Sequence, residues 1–475
     1  MSSLRLIPGA ISQSSVNALL LAERSLVPTV TIESGAGPAI RLQPQPFQPA
    51  DESGRSVDEE LVKHGVQVYT VKATNLTPTT RYQLTASAGQ ERVTAMVETW
   101  PAHLFGKSLT VAFASCYYDD YHRDAHYLAA LKSGWIAPPS FKVLAGDNLY
   151  LDVPMDVLKR WGGYRETVSR YVRYFWTSGY AEVLGFLPTF TTSDDHEFWN
   201  NYPEWQPWLR RSEWPLRDGY IQAGKKCLEL FQWSLNLPPR VAGGAAYSFA
   251  IPPLEFFVAD IRVNRTLHRD TPRRMMPEAD LTEFEAWAQG VKGPGVFVLG
   301  QPLWIKAGNW KDYNPPDFEE QYARIWTALA KAPHEILVVS GDVHHSHLLE
   351  LGLPGRSVYE FVTSPACHIP SFPFPGQGRS EVEFPEAVPL DSQRTGALKP
   401  RLIRYVFGTD AQNSFGLLHF SVSPAPAGRV TVGAAFIDAV QNRPAVAVAA
   451  KLTPGGSTRL PQQASCLGMN LFALR

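Results

Sequence analysis

The sequence predicts an α/β fold with a small all-β unit at its amino-terminal end, and three observations carry that prediction. From about residue 109, apolar runs rich in Val and Phe alternate with segments of helical spacing, as in a sheet covered by helices. Between about residues 28 and 101 the pattern is instead short alternating segments separated by turn residues, with no helical period. At 475 residues the chain is also too long for one compact core, so two domains are expected, 1–101 and 102–475.

Taken in order, Gln67-Val68-Tyr69-Thr70-Val71 and Tyr82-Gln83-Leu84-Thr85-Ala86 are predicted strands of a small β-sandwich. The stretch from Thr74 to Tyr82 resembles the loop and following strand of fibronectin type III-like modules, and Val97-Glu98-Thr99-Trp100-Pro101 resembles their last strand. Seven apolar runs follow, at 109–114, 141–145, 187–192, 254–261, 295–299, 335–340 and 358–363. Residues 155–179 place Arg, Tyr and Trp at helical spacing, which predicts one or two helices over the site. Residues 369–400 are rich in Pro and Gly without period and are expected to form an irregular loop or a lid. Residues 416–422 and 429–437 are expected to pair as strands.

Composition narrows the function. The 44 Lys and Arg nearly cancel 45 Asp and Glu, so no global field would draw in a nucleic-acid polymer or an anionic membrane. No apolar stretch reaches the roughly 20 residues that span a bilayer. Residues 1–24 lack the basic start, apolar stretch and cleavage site of an export signal, so a cytoplasmic location is expected. Cys116, Cys227, Cys367 and Cys466 lie far apart without a CxxC pair, which argues against disulfides. Aromatic residues concentrate between 161 and 233, where they wall a pocket or fill an ordinary core between helices.

Four strand ends carry the candidate chemistry: Ser115-Cys116, Gly146-Asp147-Asn148-Leu149-Tyr150, Asp194-Asp195-His196-Glu197 and Gly341-Asp342-Val343-His344. Strand ends of an open α/β sheet are where ligands collect. Asp147 follows a glycine that lets a neighbour approach closely, so its carboxylate can bridge two metals; alternatively it caps a helix. Tyr150 is a phenolate ligand or a wall residue. The Cys116 thiolate suits iron or zinc better than magnesium, and alone it would be a buried structural cysteine. Burying Asp194, Asp195, His196 and Glu197 together is costly without a counter-charge, which a cation would supply. Asp342 and His344 are separated by one residue, so strand alternation is expected to turn both to one side, with His345 and His347 packing behind. Gln301 ends another strand, where it orients a ligand or caps a turn.

These blocks, in this order, resemble the alkaline phosphatase D (PhoD-like) branch of the calcineurin-like metallophosphoesterases over roughly residues 109–368. Asp260-Ile261-Arg262 resembles that branch's Asp-x-Arg strand end, and Ser115-Cys116 stands where the wider superfamily has Asp-x-His. The resemblance implies a four-layer α/β/β/α sandwich. It also implies that Cys116, Asp147, Tyr150 and either Asp342 or His344 hold Fe3+. Asp147, Asp195 and the remaining member of that pair would then hold a divalent ion, Ca2+ before Zn2+, Mn2+ or Mg2+, because Gln301 replaces a metal-binding His. His196 would be the catalytic imidazole, and Arg262 or Arg265 a fixed positive group beside the phosphate, unless the strand-end Arg pairs with Asp260 instead. The implied reaction is hydrolysis of a small-molecule phosphodiester by hydroxide activated between two metals. Phosphomonoesterase or phospholipase D-like activity, and a non-catalytic binding protein on the same fold, are the alternatives. Members of the branch often carry a twin-arginine export signal, and none is seen in this sequence.

Overall fold

The computed structural model describes residues 3–35, 37–119, 121–133, 137–153, 163–308, 313–367, 384–388, 390, 398–409, 413–425, 428–447 and 470–474. The first three apolar runs form the parallel strands Ser108–Ala114, Phe141–Ala145 and Thr189–Thr192. They sit in a seven-stranded sheet extended by Ser414–Val422, Val430–Asp438, Arg443–Ala447 and Asn470–Leu474. The expected tail pair is antiparallel and joins the first run directly, with Leu418 opposite Val111. The other four runs form Leu254–Val258, Gly295–Val298, Ile336–Ser340 and Arg356–Val362, all parallel neighbours in a second seven-stranded sheet.

Both faces of each sheet are covered, which is why these strands read as continuous apolar runs rather than as alternating ones. Val111, Phe113, Phe141, Val143 and Phe190 of the first sheet pack in one cluster with Phe256, Val258, Val296, Val298, Leu337 and Val339 of the second. The intervening residues face outward. Ala112, Ala114 and Leu144 meet Tyr127, Val168, Tyr171 and Leu184 of the helices on one side. Phe257, Phe297 and Val338 meet Phe284, Trp287, Tyr322 and Trp326 on the other. The result is a helix, sheet, sheet, helix sandwich whose aligned strand ends share one edge. At about 1.5–3 kcal/mol for each large apolar side chain fully buried, this double-sided burial dominates the driving force.

The amino-terminal part forms two four-stranded sheets, one built on Leu4–Ile11, Val16–Glu23 and Val66–Ala73, the other on Thr29–Glu33, Arg81–Ala88 and Glu91–Glu98. The fibronectin-like loop is closed by the Tyr82 hydroxyl, which accepts from the backbone N–H of Thr77 at 2.9 Å. The expectation of no helix before Pro101 is corrected by Glu52–Lys63, capped by the Asp51 side chain on the Gly54 N–H. Gly54, Val57 and Leu61 of this helix are buried at the helical spacing i, i+3, i+7, a short stripe set among charged residues. Its Ser53 and the following His64 bond Tyr164 and Ser169 on the helix Gly163–Val172. At the boundary, Trp100 packs on Phe141, Phe190 and Phe249, so one apolar cluster crosses residue 101.

Within 155–179 the described residues form Gly163–Val172 and a π-helical turn, Arg173–Thr177. Most of 369–400, expected as an irregular loop or a lid, lies outside the described residues. No helix among the described residues is long and apolar enough to cross a membrane. Cys116, Cys227 and Cys367 are free thiols, and Cys466 lies outside the described residues. The described aromatics between 161 and 233 largely fill cores, Tyr171, Phe175 and Phe231 among them.

Candidate metal centre

Three glycines let the strand ends converge. A Cβ on Gly146 would lie 2.7 Å from Asp194 Cβ, one on Gly300 2.9 Å from the Ser193 carbonyl, and one on Gly341 2.4 Å from Ser115 Oγ. Each glycine immediately precedes a site residue: Asp147, Gln301 or Asp342. Cys116, Asp147, Asp342 and His344 themselves have positive φ, at 59°, 51°, 70° and 52°. Non-glycine residues rarely adopt that region, and such strain persists where surrounding structure imposes it. It also corrects the expectation that strand alternation aligns Asp342 and His344. The strand ends at Ser340, and left-handed backbone at both residues sets their direction.

The side chains meet at that edge. Cys116 Sγ lies 3.5 Å from Asp147 Oδ2, and the Ser364 hydroxyl donates to the thiol at 3.1 Å. The Tyr150 hydroxyl lies 3.3 Å from His344 Nε2. Ligand atoms of Asp147, Asp195 and His196 fall within 4.8 Å of one another, as do those of Asp194, Asp195 and Asp342. The Tyr150 ring lies 4.2 Å from the His196 ring, so the side chains named from the sequence stand in one neighbourhood, with Asp194 beside them. His345 and His347 turn away as expected: their Nδ1 atoms lie 3.1 Å apart, and the His347 ring packs against Phe384.

A surrounding shell fixes these groups. Glu197 accepts from the backbone N–H groups of Asp147, Asn148 and Asp194 at 3.2, 2.7 and 2.9 Å, tying two strand ends together. His196 Nδ1 lies 2.7 Å from Asp152 Oδ1, and Asp152 Oδ2 accepts from the Asn200 N–H at 2.7 Å. The carboxylate accepts, so Nδ1 carries the proton and Nε2 is left for the site. Arg262 donates through Nε to Asp194 and through a terminal nitrogen to the Tyr202 carbonyl, while its backbone N–H donates to Asp260. Its expected side-chain pairing with Asp260 is thus corrected to Asp194, because Asp260 spends its other oxygen on Ser193. Sequence reasoning passed over Asp152, two residues beyond the Gly-Asp-x-x-Tyr block. It left Glu197 as one member of an acidic run; the backbone N–H groups it holds have no signature in side-chain identity.

Burial dominates the electrostatics. It pushes the Cys116 thiol up to about 12, with the charges of Asp342 and Asp194 adding to it. Asp147 is raised well above the usual carboxylate range by burial and then by Asp195 and Cys116. Glu197 is pushed up to about 8 by burial. Burial also opposes the charged forms of Asp195 and His196, but Arg262 and His196 hold Asp195 low, and Asp152 and Asp195 lift His196 to about 9. Among the described residues, Oδ2 of Asp194 and Oδ1 of Asp195 are buried without a hydrogen-bond partner, the latter 3.9 Å from a terminal nitrogen of Arg262. Orphaned carboxylate oxygens beside a thiol, a phenol and imidazoles are costly as protein alone and fit a donor set for cations.

No model of a protein family matches the chain, and no curated protein sequence matches it. Solved structures do. The structure of PhoD superposes with a TM-score of 0.63 at 15% identity, covering 96% of this chain and 94% of that one. A purple acid phosphatase from yellow lupin (Lupinus luteus) seeds superposes with a TM-score of 0.57 at 11% identity, covering 93% of this chain and 72% of that one. At these identities the likeness concerns architecture, and the fold is that of the PhoD-like metallophosphoesterases.

Proposed function

We propose that this chain is a metal-dependent phosphoric ester hydrolase acting on small-molecule phosphodiesters. The observation that carries the proposal is the convergence of Cys116, Asp147, Tyr150, Asp194, Asp195, His196, Asp342 and His344 from the strand ends of both sheets. Fold likeness alone would not support it. The mixed thiol, phenol, imidazole and carboxylate set of Cys116, Tyr150, His344 and Asp147 suits Fe3+, and the carboxylates of Asp147, Asp194, Asp195 and Asp342 suit a hard divalent ion such as Ca2+. Asp147, common to both groups, would be the carboxylate shared between the two ions. When bound, two such ions supply Lewis acidity toward phosphoryl oxygens and lower the pKa of water.

The chain's own residues do the rest. Asp152 holds the His196 ring by Nδ1, so that Nε2 faces the site and can give a proton to the departing ester oxygen. Arg262 offsets the charges of Asp194 and Asp195, with Nε on Asp194 and a terminal nitrogen 3.9 Å from Asp195 Oδ1. Glu197 fixes the spacing between the Asp147 and Asp194 strand ends. The test is to compare hydrolysis of bis(4-nitrophenyl) phosphate and 4-nitrophenyl phosphate. Faster turnover of the diester supports the proposal, and no metal-dependent hydrolysis of either ester contradicts it.

A further inference from the structure

Behind Asp342 stands a buried polar chain that ends in a fixed cation. Arg265 is 5% exposed, and its guanidinium donates to the carbonyls of Ile261 and Tyr313, each at 3.0 Å, and to Gln301 Oε1 at 2.6 Å. Its plane also lies over the Phe318 ring, 4.9 Å from the centroid. Gln301 is fully buried and donates through Nε2 to Asp342 Oδ2 at 3.0 Å.

The orientation of that amide follows from chemistry. A guanidinium only donates, so the Gln301 atom facing Arg265 must be its oxygen, and the NH2 group then faces Asp342. Gln301 therefore commits its oxygen away from the carboxylate cluster. Gly300, lacking a Cβ, sets it there by allowing its strand end to approach Ser193 and Asp194 closely.

We propose that Arg265 and Gln301 form a positioning relay for Asp342: the arginine locks the amide, and the amide fixes the rotation of the carboxylate that faces Asp194 and Asp195. The relay rests on the metal reading of this site and adds a selectivity consequence to it. Gln301 contributes a donor, not a ligand, so the divalent site is left with carboxylate oxygens and favours a hard cation.

The experiment is calorimetric titration of Ca2+ alone into metal-free wild type, Gln301→Met, Asp342→Asn and the double variant, with melting temperatures recorded for each. Loss of a hydrogen bond to a metal-bound carboxylate typically weakens metal affinity about 10- to 100-fold, and that is expected for Gln301→Met. If the amide acts through Asp342, the double variant binds no more weakly than Asp342→Asn alone. Gln301→Leu, which also removes the donor to Asp342 without adding an oxygen, is expected to weaken Ca2+ binding to the same extent, and it serves if Gln301→Met does not fold. Additive losses, or wild-type Ca2+ affinity in the Gln301 variants, overturn the relay alone. A wild-type protein that binds no Ca2+ overturns the divalent site together with the relay.

Discussion

Nδ1 of His196 lies 2.7 Å from Oδ1 of Asp152, and the other oxygen of that carboxylate is held by the Asn200 N–H. The imidazole is thus aimed by a residue outside the metal cluster. Asp152→Asn turns one amide N–H toward either His196 or Asn200 and loosens that aim. Steady-state kinetics on bis(4-nitrophenyl) phosphate should show kcat lowered about 100-fold with KM nearly unchanged, the scale of a lost acid–base contribution. An unchanged kcat would leave Asp152 with a packing role only.

Gly341 permits a close approach at the strand-end edge, with Ser115 already fixed by its bond to the Thr363 carbonyl at 2.7 Å. Gly341→Ala is expected to cost about 1–3 kcal/mol, as overpacking does in a tight interior. Urea denaturation measures it. A change within about 0.5 kcal/mol would show that the strand ends can part without penalty.

His347 supplies a pH dependence that is separate from catalysis. Burial, then the neighbouring His345, hold its imidazole down at about 3 against an ordinary 6.5, opposed only by a bond to the His345 carbonyl. The unfolded chain therefore takes up a proton below about pH 6.5 that the folded chain refuses. The stability is fully present above that pH and is lost as pH falls toward 3, by up to about 1.4 kcal/mol per unit. His347→Phe, beside Phe384 and Tyr405, should flatten this part of the acid limb when urea midpoints at pH 7 and 5 are compared. Equal losses in both proteins would assign the limb to other groups.

Tyr150 and Cys116 are expected to colour a ferric protein through ligand-to-metal charge transfer. An absorption spectrum of the iron-loaded wild type should show a visible band, and Tyr150→Phe should shift or remove it. A colourless protein with iron bound and activity intact would exclude these residues as iron ligands.

Much of this was legible because burial on both faces writes strands as continuous apolar runs, and because the four blocks that converge sit where those runs stop. Ala18-Leu19-Leu20-Leu21-Ala22 escaped the sandwich reading for the same reason, since it is buried throughout and shows no alternation. The helix Glu52–Lys63 was passed over because its buried stripe is short and set among charged residues. Asp194 was hidden by its neighbour, as adjacent carboxylates on an extended segment point to opposite sides and only the turn at Asp195–Glu197 brings both to one cluster. Left-handed backbone at Asp342 and His344 carries only a weak sequence signal, since Asp and His enter that region more often than other non-glycine residues but still seldom.

The central claim is that carboxylates and softer donors from both sheets cage a pair of cations bridged by Asp147. Elemental analysis of the purified wild type and of Asp147→Ala, each paired with turnover of bis(4-nitrophenyl) phosphate, tests it most directly. The account predicts about two metal ions per chain in the wild type, and in a soluble, folded Asp147→Ala variant the loss of bound metal and of turnover together. A wild type that hydrolyses the ester without metal, or an Asp147→Ala variant that keeps both ions and full activity, would contradict it.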